Sequence, residues 1–161
     1  MRAFIICEHT NAYMHKEEIL KACFEFVNKR IKEVTLAIDS ADHSLQEDTK
    51  SSAGDKYETG REMIQQDLNR LQQQLSLAQE DLKTLEWIRQ AKPNDEIVLG
   101  SLVETDKNSY YFIAVSIGRL PNYPNVYVIS PQSPIGKLLL GKTIGERIEF
   151  NKQFFTLDRV L

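Results

Sequence analysis

Apolar residues in the first third of the chain recur at alternating spacings of four and three residues. This heptad repeat gathers them into one narrow stripe along a helix. Such a stripe is stabilised by packing against a second helix. The repeat therefore predicts a long helix with a helical partner, and its members are Leu20, Phe24, Val27, Ile31, Val34, Ile38, Ala41 and Leu45.

A second apolar stripe with the same repeat follows after a short polar interruption. The interruption, residues 46–55, contains a glycine and no apolar residue larger than alanine, which is typical of a turn. Two helices joined by so short a link bury their stripes against each other as an antiparallel hairpin. The second stripe comprises Tyr57, Ile64, Leu68, Leu71, Leu75, Ala78, Leu82 and Leu85.

The helical hairpin is predicted to span residues 16–92, with its tip near residues 46–58. A helix of about 30 residues is about 45 Å long, and no outer apolar layer covers it, so the hairpin is predicted to project into solvent. Arg61 stands where the second stripe expects an apolar residue, which predicts weak pairing near the tip. Residues 1–15 precede the repeat and are interpreted as an N-terminal extension.

The second half of the sequence changes from helical to strand patterning after Pro93, which cannot continue a helix. Short runs rich in β-branched and aromatic residues alternate with polar turns. One short helix is predicted over residues 133–140, with Ser133 as its N-cap and Pro134 at its first position. Residues 96–161 are thus predicted to form a small sheet domain, and the whole chain is predicted to be α+β. The predicted strands cover residues 97–104, 110–115, 126–129, 144–150 and 154–157.

Composition and charge exclude several classes of protein. The chain has 161 residues, of which 42% are hydrophobic and 27% charged, as in an ordinary folded protein. No apolar run approaches the roughly 18 residues that a membrane span needs, and the start lacks the features of a signal peptide, so a cytoplasmic protein without membrane association is predicted. The net charge of -3 argues against nucleic-acid binding through the overall field, although a few local charges can still contact a partner.

The cysteines and histidines do not suggest a metal site or a disulfide framework. Cys7 and Cys23 are the only cysteines, and their spacing fits neither. His9, His15 and His43 are scattered, without a cysteine at metal-ligand spacing. No phosphate-binding glycine loop and no nucleophile–base motif is present, so no autonomous hydrolase or transferase is predicted.

One C-terminal segment carries a family resemblance. It reads Val128-Ile129-Ser130, then Ser133-Pro134-Ile135-Gly136, then Leu140-Gly141-Lys142, and then Gly145-Glu146. This order resembles the C-terminal domain of bacterial Gre-type transcript cleavage factors, and the helical hairpin resembles the coiled-coil finger of that family. The resemblance implies a fold like that of FK506-binding prolyl isomerases for residues 96–161. It also implies a DNA-associated transcription role and binding beside the secondary channel of bacterial RNA polymerase, through Ser133, Pro134, Ile135 and Gly136.

The hairpin tip carries the chemistry in Gre factors, where two acidic residues help hold a Mg²⁺ ion of the polymerase active site. Matching the family's Gly-Asp-x-x-Glu pattern to Gly54-Asp55-Lys56-Tyr57-Glu58 implies that Asp55 and Glu58 are the catalytic and metal-binding pair. Hard oxygen ligands suit Mg²⁺, and a spacing of three places both carboxylates on one helix face. The resemblance also implies that a basic patch on the first helix, Lys29, Arg30 and Lys32, contacts the RNA 3′ end.

Two alternatives remain open at the tip. Aligning Tyr57 and Arg61-Glu62 with the family's Tyr and Arg-Glu pair shifts the register by five residues. The catalytic positions then fall on Lys50 and Ala53, and the acids are lost. Asp55 is also well placed to cap the N-terminus of a helix, with Glu58 as an ordinary surface residue.

Four functions are compatible with this sequence. The first is a cleavage factor that stimulates the RNA hydrolysis of the polymerase and is not an enzyme itself. The second is a regulator that binds the secondary channel without cleavage. The third is a prolyl isomerase, whose pocket would use Tyr110, Tyr111, Phe112, Tyr123 and Tyr127, and the fourth is a plain coiled-coil scaffold. We expect a monomer, because an intramolecular hairpin buries both stripes.

Overall fold

A computed structural model describes residues 2–48 and 54–161, with side chains for residues 15–47 and 58–161. The chain divides into two compact units. One unit comprises residues 25–82, and the other comprises residues 1–24 together with residues 83–161. The α+β prediction is confirmed, because two long helices are followed by a six-stranded mixed sheet with one short helix.

The two long helices are α1, Arg2–Asp48, and α2, Gly54–Gln90. Helix α1 begins well before Lys16, where the heptad pattern predicted its start, because no glycine or proline interrupts the chain between Arg2 and Asp48. The link between the helices is shorter than predicted, since α1 continues through Asp48. The intervening residues 49–53, which include Lys50 and Ala53, lie outside the described residues.

In the unit of residues 25–82, the apolar stripes are confirmed as the packed surfaces of both helices. The most deeply buried stripe residues are Val27 and Val34 on α1 with Leu68 and Ala78 on α2. Arg61, the charged residue in the second stripe, is exposed. Exposed leucines lie off the stripes, as a two-helix arrangement requires. Burial therefore follows the heptad repeat.

The other unit contains a sheet with the strand order β3-β4-β2-β1-β6-β5. Its pairs are antiparallel except β2 and β4, which run parallel in the register Tyr110↔Val126 to Ile113↔Ile129. The sequence did not predict β3, which is only three residues long, or the parallel pair. The strands are β1 Leu102–Thr105, β2 Tyr110–Ile113, β3 Gly118–Leu120, β4 Tyr123–Ile129, β5 Arg147–Phe150 and β6 Gln153–Val160.

Both faces of the sheet are covered. The short helix α3, Pro134–Leu139, buries Ile135 and Leu139 in one core, which continues through Val103, Ile113, Ile148, Phe155 and Leu157. The alternate strand residues Leu102 and Phe112 are also fully buried, on the opposite face. The helical segments of this unit contribute buried Ile19, Cys23, Leu85 and Ile88. No helix among the described residues is long and apolar enough to cross a membrane.

Candidate functional site

The Ser-Pro-Ile-Gly segment of the sheet domain forms the capped start of helix α3. Ser133 is the N-cap, and its Oγ accepts a hydrogen bond of 3.1 Å from the backbone N–H of Gly136. The same Oγ donates a hydrogen bond of 2.7 Å to the carbonyl oxygen of Ser130. Pro134 occupies the first turn, where its fixed φ fits and its missing N–H costs nothing. The predicted N-cap is confirmed.

Close packing explains the glycine that follows. A β-carbon at Gly136 would overlap the carbonyl oxygen of Ser130 and crowd the Oγ of Ser133. Gly136 and Ile135 are both buried, with Ile135 only 7% exposed. Of the four residues predicted to bind the polymerase, only Pro134 is exposed and Ser133 is half-buried. Ser133 and Gly136 therefore stabilise the turn, and Pro134 is the most exposed of the four residues.

Three exposed apolar residues lie just beyond this turn. Leu138, Leu140 and Ile144 are 42%, 37% and 58% exposed. None of the three residues was predicted to be a contact residue. The sequence signal that could have identified them is the number of apolar residues in this stretch. That number exceeds what a six-residue helix can bury on one face.

The Leu-Gly-Lys and Gly-Glu elements build the next turn. Gly141 adopts a positive φ of 76°, and its N–H donates to the carbonyl oxygen of Ile97 at 2.8 Å. The carboxylate of Glu146 accepts a hydrogen bond of 2.7 Å from the backbone N–H of Thr143 and one of 3.3 Å from Lys142 Nζ. The bond from the Thr143 N–H is the main cause that lowers the pKa of Glu146. These motif residues therefore hold the backbone in place.

On the hairpin, Glu58 belongs to a groove on one face of α2. The groove has a volume of about 300 Å³ and is lined by Glu58, Arg61, Glu62 and Gln65. Their spacings of three and four residues place them on one side of the helix. Among the described residues, no hydrogen bond or ion pair joins Glu58, Arg61 or Glu62 to another side chain. The side chain of Asp55 lies outside the described residues.

The two helices face each other within this unit, as one electrostatic interaction between them shows. The guanidinium of Arg30 on α1 acts electrostatically on the carboxyl of Asp81 on α2. Met63 lies beside the stripe residue Ile64 and is 64% exposed. Arg61, at a stripe position, is exposed as well.

The predicted basic patch is exposed but partly neutralised. Lys29 Nζ lies 3.8 Å from Glu33 Oε1, and Arg30 acts on Asp81 across the helix pair. Burial is the main cause that raises the pKa of Asp81, and the charge of Arg30 opposes it. Lys32 is exposed on the same helix. Two of the three predicted RNA-contacting cations thus already have acidic neighbours.

The carboxylates near the start of α2 suit a Mg²⁺ ion shared with a partner better than one bound by this chain alone. Mg²⁺ in proteins is commonly held by one or two carboxylates while water and substrate phosphates complete the octahedron. Glu58 is exposed and free to take such a role, with Glu62 one turn further along. Among the described residues, no group of three or more histidine, cysteine, aspartate or glutamate side chains is arranged to hold a metal ion.

The aromatic residues considered for an isomerase pocket are separated by the sheet. Tyr111 and Tyr127 stack with their ring centroids 5.7 Å apart, whereas Phe112 is fully buried. The hydroxyl of Tyr110 donates to Glu104, and its ring lies beside His15. Tyr123 starts β4 and is half-buried. Two of the five aromatic residues therefore contact each other, and the set does not form one pocket wall.

Comparisons with known proteins give one similarity. No family model matches the sequence, and no curated protein matches it. A solved structure described as that of the transcription factor Gfh1 is similar, with 23% identity over 87% of this chain and 94% of that chain. The TM-score is 0.36, and a likeness this weak carries no argument about the function of this chain.

Proposed function

We propose that this chain is a transcription elongation factor that binds bacterial RNA polymerase at its secondary channel and promotes cleavage of backtracked RNA. The observation that carries the proposal is the fold of residues 130–142, a capped turn, a short helix and a glycine-ended turn. These are the residues on which the Gre resemblance rests. They follow a heptad-paired helical hairpin in the same chain, as the resemblance requires.

In this mechanism the chain supplies carboxylates and the polymerase supplies the active site. Glu58 lies near the start of α2, in an open groove. Asp55 precedes it by three residues, which is one helical turn on the same face. A Mg²⁺ ion held jointly with the polymerase would activate a water molecule for phosphodiester hydrolysis. The chain itself has no catalytic activity in this proposal.

The test is RNA 3′-end cleavage in backtracked elongation complexes of the cognate polymerase. The wild type is compared with Asp55→Ala/Glu58→Ala, and Glu86→Ala serves as a control because Glu86 is exposed on the same helix. Polymerase binding is measured in parallel. We expect the double variant to bind normally and to lose cleavage, while the control retains both activities. Wild-type protein that does not bind the polymerase would refute the proposal.

A regulator that binds the secondary channel without cleavage is the second candidate. Arg61 favours it, because its guanidinium lines the same groove as Glu58 and Glu62. A fixed positive charge beside two carboxylates competes with a divalent cation for them. Binding without cleavage by the wild type would support this candidate and the alignment that starts from Tyr57.

A further inference from the structure

One stretch of the sequence contains no acidic residue. Residues 107–145 include Lys107, Arg119, Lys137 and Lys142 but no aspartate or glutamate. The whole chain has 23 acidic residues in 161 positions, a density that corresponds to five or six in a stretch of 39. A local excess of positive charge in a chain of net charge -3 is a feature of surfaces that bind anions.

The fold places three strands of this stretch side by side. It contains strands β2, β3 and β4, which are consecutive in the sheet order β3-β4-β2, and helix α3. Lys107, Arg119 and Lys137 are exposed. Lys142 is 3.3 Å from Glu146, so its charge is already matched. We call the surface formed by β2, β3 and β4 the acid-free face.

A row of stacked aromatic rings begins on this face and continues to strand β6. The rings of Tyr127, Tyr111 and Phe155 form a row with successive centroid distances of 5.7 Å. Tyr111 and Phe155 adjoin the core that contains α3, so the row is on the same side of the sheet as that helix. Tyr111 and Tyr127 are only half-buried. The row therefore reaches the surface at Tyr127.

Arg119 lies at the exposed end of the row. Its Nη2 donates a hydrogen bond of 3.0 Å to the hydroxyl of Tyr127, and its guanidinium carbon is 5.5 Å from the ring centroid. The guanidinium is thus held near the phenol oxygen while several of its N–H groups remain free to donate. Aromatic rings on a sheet surface beside a guanidinium are suited to bases and phosphates of a single strand.

We propose that the acid-free face binds single-stranded nucleic acid, with a phosphate on Arg119 and a base against Tyr127. A duplex hides its bases within the stack and offers only its phosphates here. An acidic peptide would use the same cations but gain little from the aromatic row. This binding is a property of the free protein and does not depend on the polymerase.

The experiment measures fluorescence anisotropy of a labelled oligouridylate of about 12 nucleotides, a length within the range of single-strand sites. The full chain is titrated at several salt concentrations. We expect Arg119→Gln to weaken binding at least threefold and to lower the salt slope by about 0.7, the value for one lost single-strand phosphate contact. Lys83→Gln is the matched control, because it removes one exposed positive charge from α2 and should change neither quantity.

A second pair of variants tests the aromatic contribution. Tyr127→Phe retains the ring and should retain most of the affinity, whereas Tyr127→Leu should weaken binding as Arg119→Gln does. Circular dichroism confirms folding, and Arg119→Gln is decisive by itself because Arg119 is exposed. The proposal is wrong if wild type does not bind at low salt, or if Lys83→Gln has the same effect as Arg119→Gln. Equal competition by duplex or by oligoglutamate would also overturn it.

Discussion

The side chain of Ser133 is hydrogen-bonded to the backbone N–H of Gly136, and the two residues hold the start of α3 against the carbonyl oxygen of Ser130. The hydroxyl satisfies one of the N–H groups that a helix start leaves without an intrahelical partner. The missing side chain of Gly136 allows the backbone to approach. The turn therefore depends on the hydrogen bonds of the Ser133 hydroxyl and on the absence of a side chain at Gly136.

Gly136→Ala is expected to destabilise the sheet domain by about 1–3 kcal/mol, because the new methyl group meets backbone that cannot move independently. Thermal and urea unfolding measure the change. Gly60→Ala is the matched control on α2, where nothing lies within 4 Å of the added β-carbon. That control should gain up to about 1 kcal/mol from helix propensity. Equal stability of the two variants would contradict the packing described for Gly136.

Leu68→Ala is expected to destabilise the helical hairpin by about 2–5 kcal/mol, because Leu68 is buried in the apolar stripe with 4% exposure. Leu77→Ala on the same helix is the control, since Leu77 is 58% exposed. That variant should remain within about 0.5 kcal/mol of the wild type. Urea denaturation followed by circular dichroism compares them, and a similar loss in both would show that the stripe is not the packed surface.

Cys23 should resist thiol reagents in the native protein. Burial raises the pKa of its thiol to about 12, so at pH 8 about one molecule in 10⁴ carries the thiolate. The measurement uses Ellman's reagent on a Cys7→Ser variant, in which Cys23 is the remaining cysteine. We expect no reaction within minutes in buffer and a full reaction in guanidinium. Rapid native labelling would contradict the burial of Cys23.

The carboxyl of Glu146 should titrate with a pKa below its ordinary value of 4.5, because its ionised form accepts a hydrogen bond from the backbone N–H of Thr143. Since the folded-state pKa is lowered, the stability that this carboxylate provides is present above pH 4.5. It is lost as the pH falls through the lower folded-state pKa. The amide signal of Thr143 in NMR spectra should report that midpoint, and Glu146→Gln should abolish the titration. A midpoint at or above 4.5 would refute the prediction.

The sequence predicted the fold best in segments where a periodic apolar pattern coincides with burial. The apolar stripes, the strands around Phe112 and Val128, and the Ser133 cap follow from local spacing and local hydrogen bonding. Strand β3 could not be predicted in this way, because three residues carry too little pattern. The parallel pairing of β2 with β4 depends on contacts between distant segments, which the periodicity of the sequence does not reveal.

The candidate sites were predictable only in part. The spacing of Glu58, Arg61 and Glu62 was visible in the sequence, but only the structure shows that they line one groove. The motif at Ser133 and Gly136 was predicted to be a binding segment, and the structure adds that both residues stabilise the turn. A family resemblance identifies candidate residues. Their burial in the structure is needed to distinguish residues that stabilise the fold from residues that can contact a partner.

The division of the chain has a consequence for the order in which it folds. The unit that contains the sheet is interrupted by residues 25–82, so Phe24 and Lys83 must be brought together across 58 residues. Closing an unstructured segment of that length costs about 3–4 kcal/mol of chain entropy. The helical hairpin has mainly local contacts and forms rapidly. Its early formation would remove most of that cost, so the inserted hairpin serves as an internal folding aid for the sheet domain.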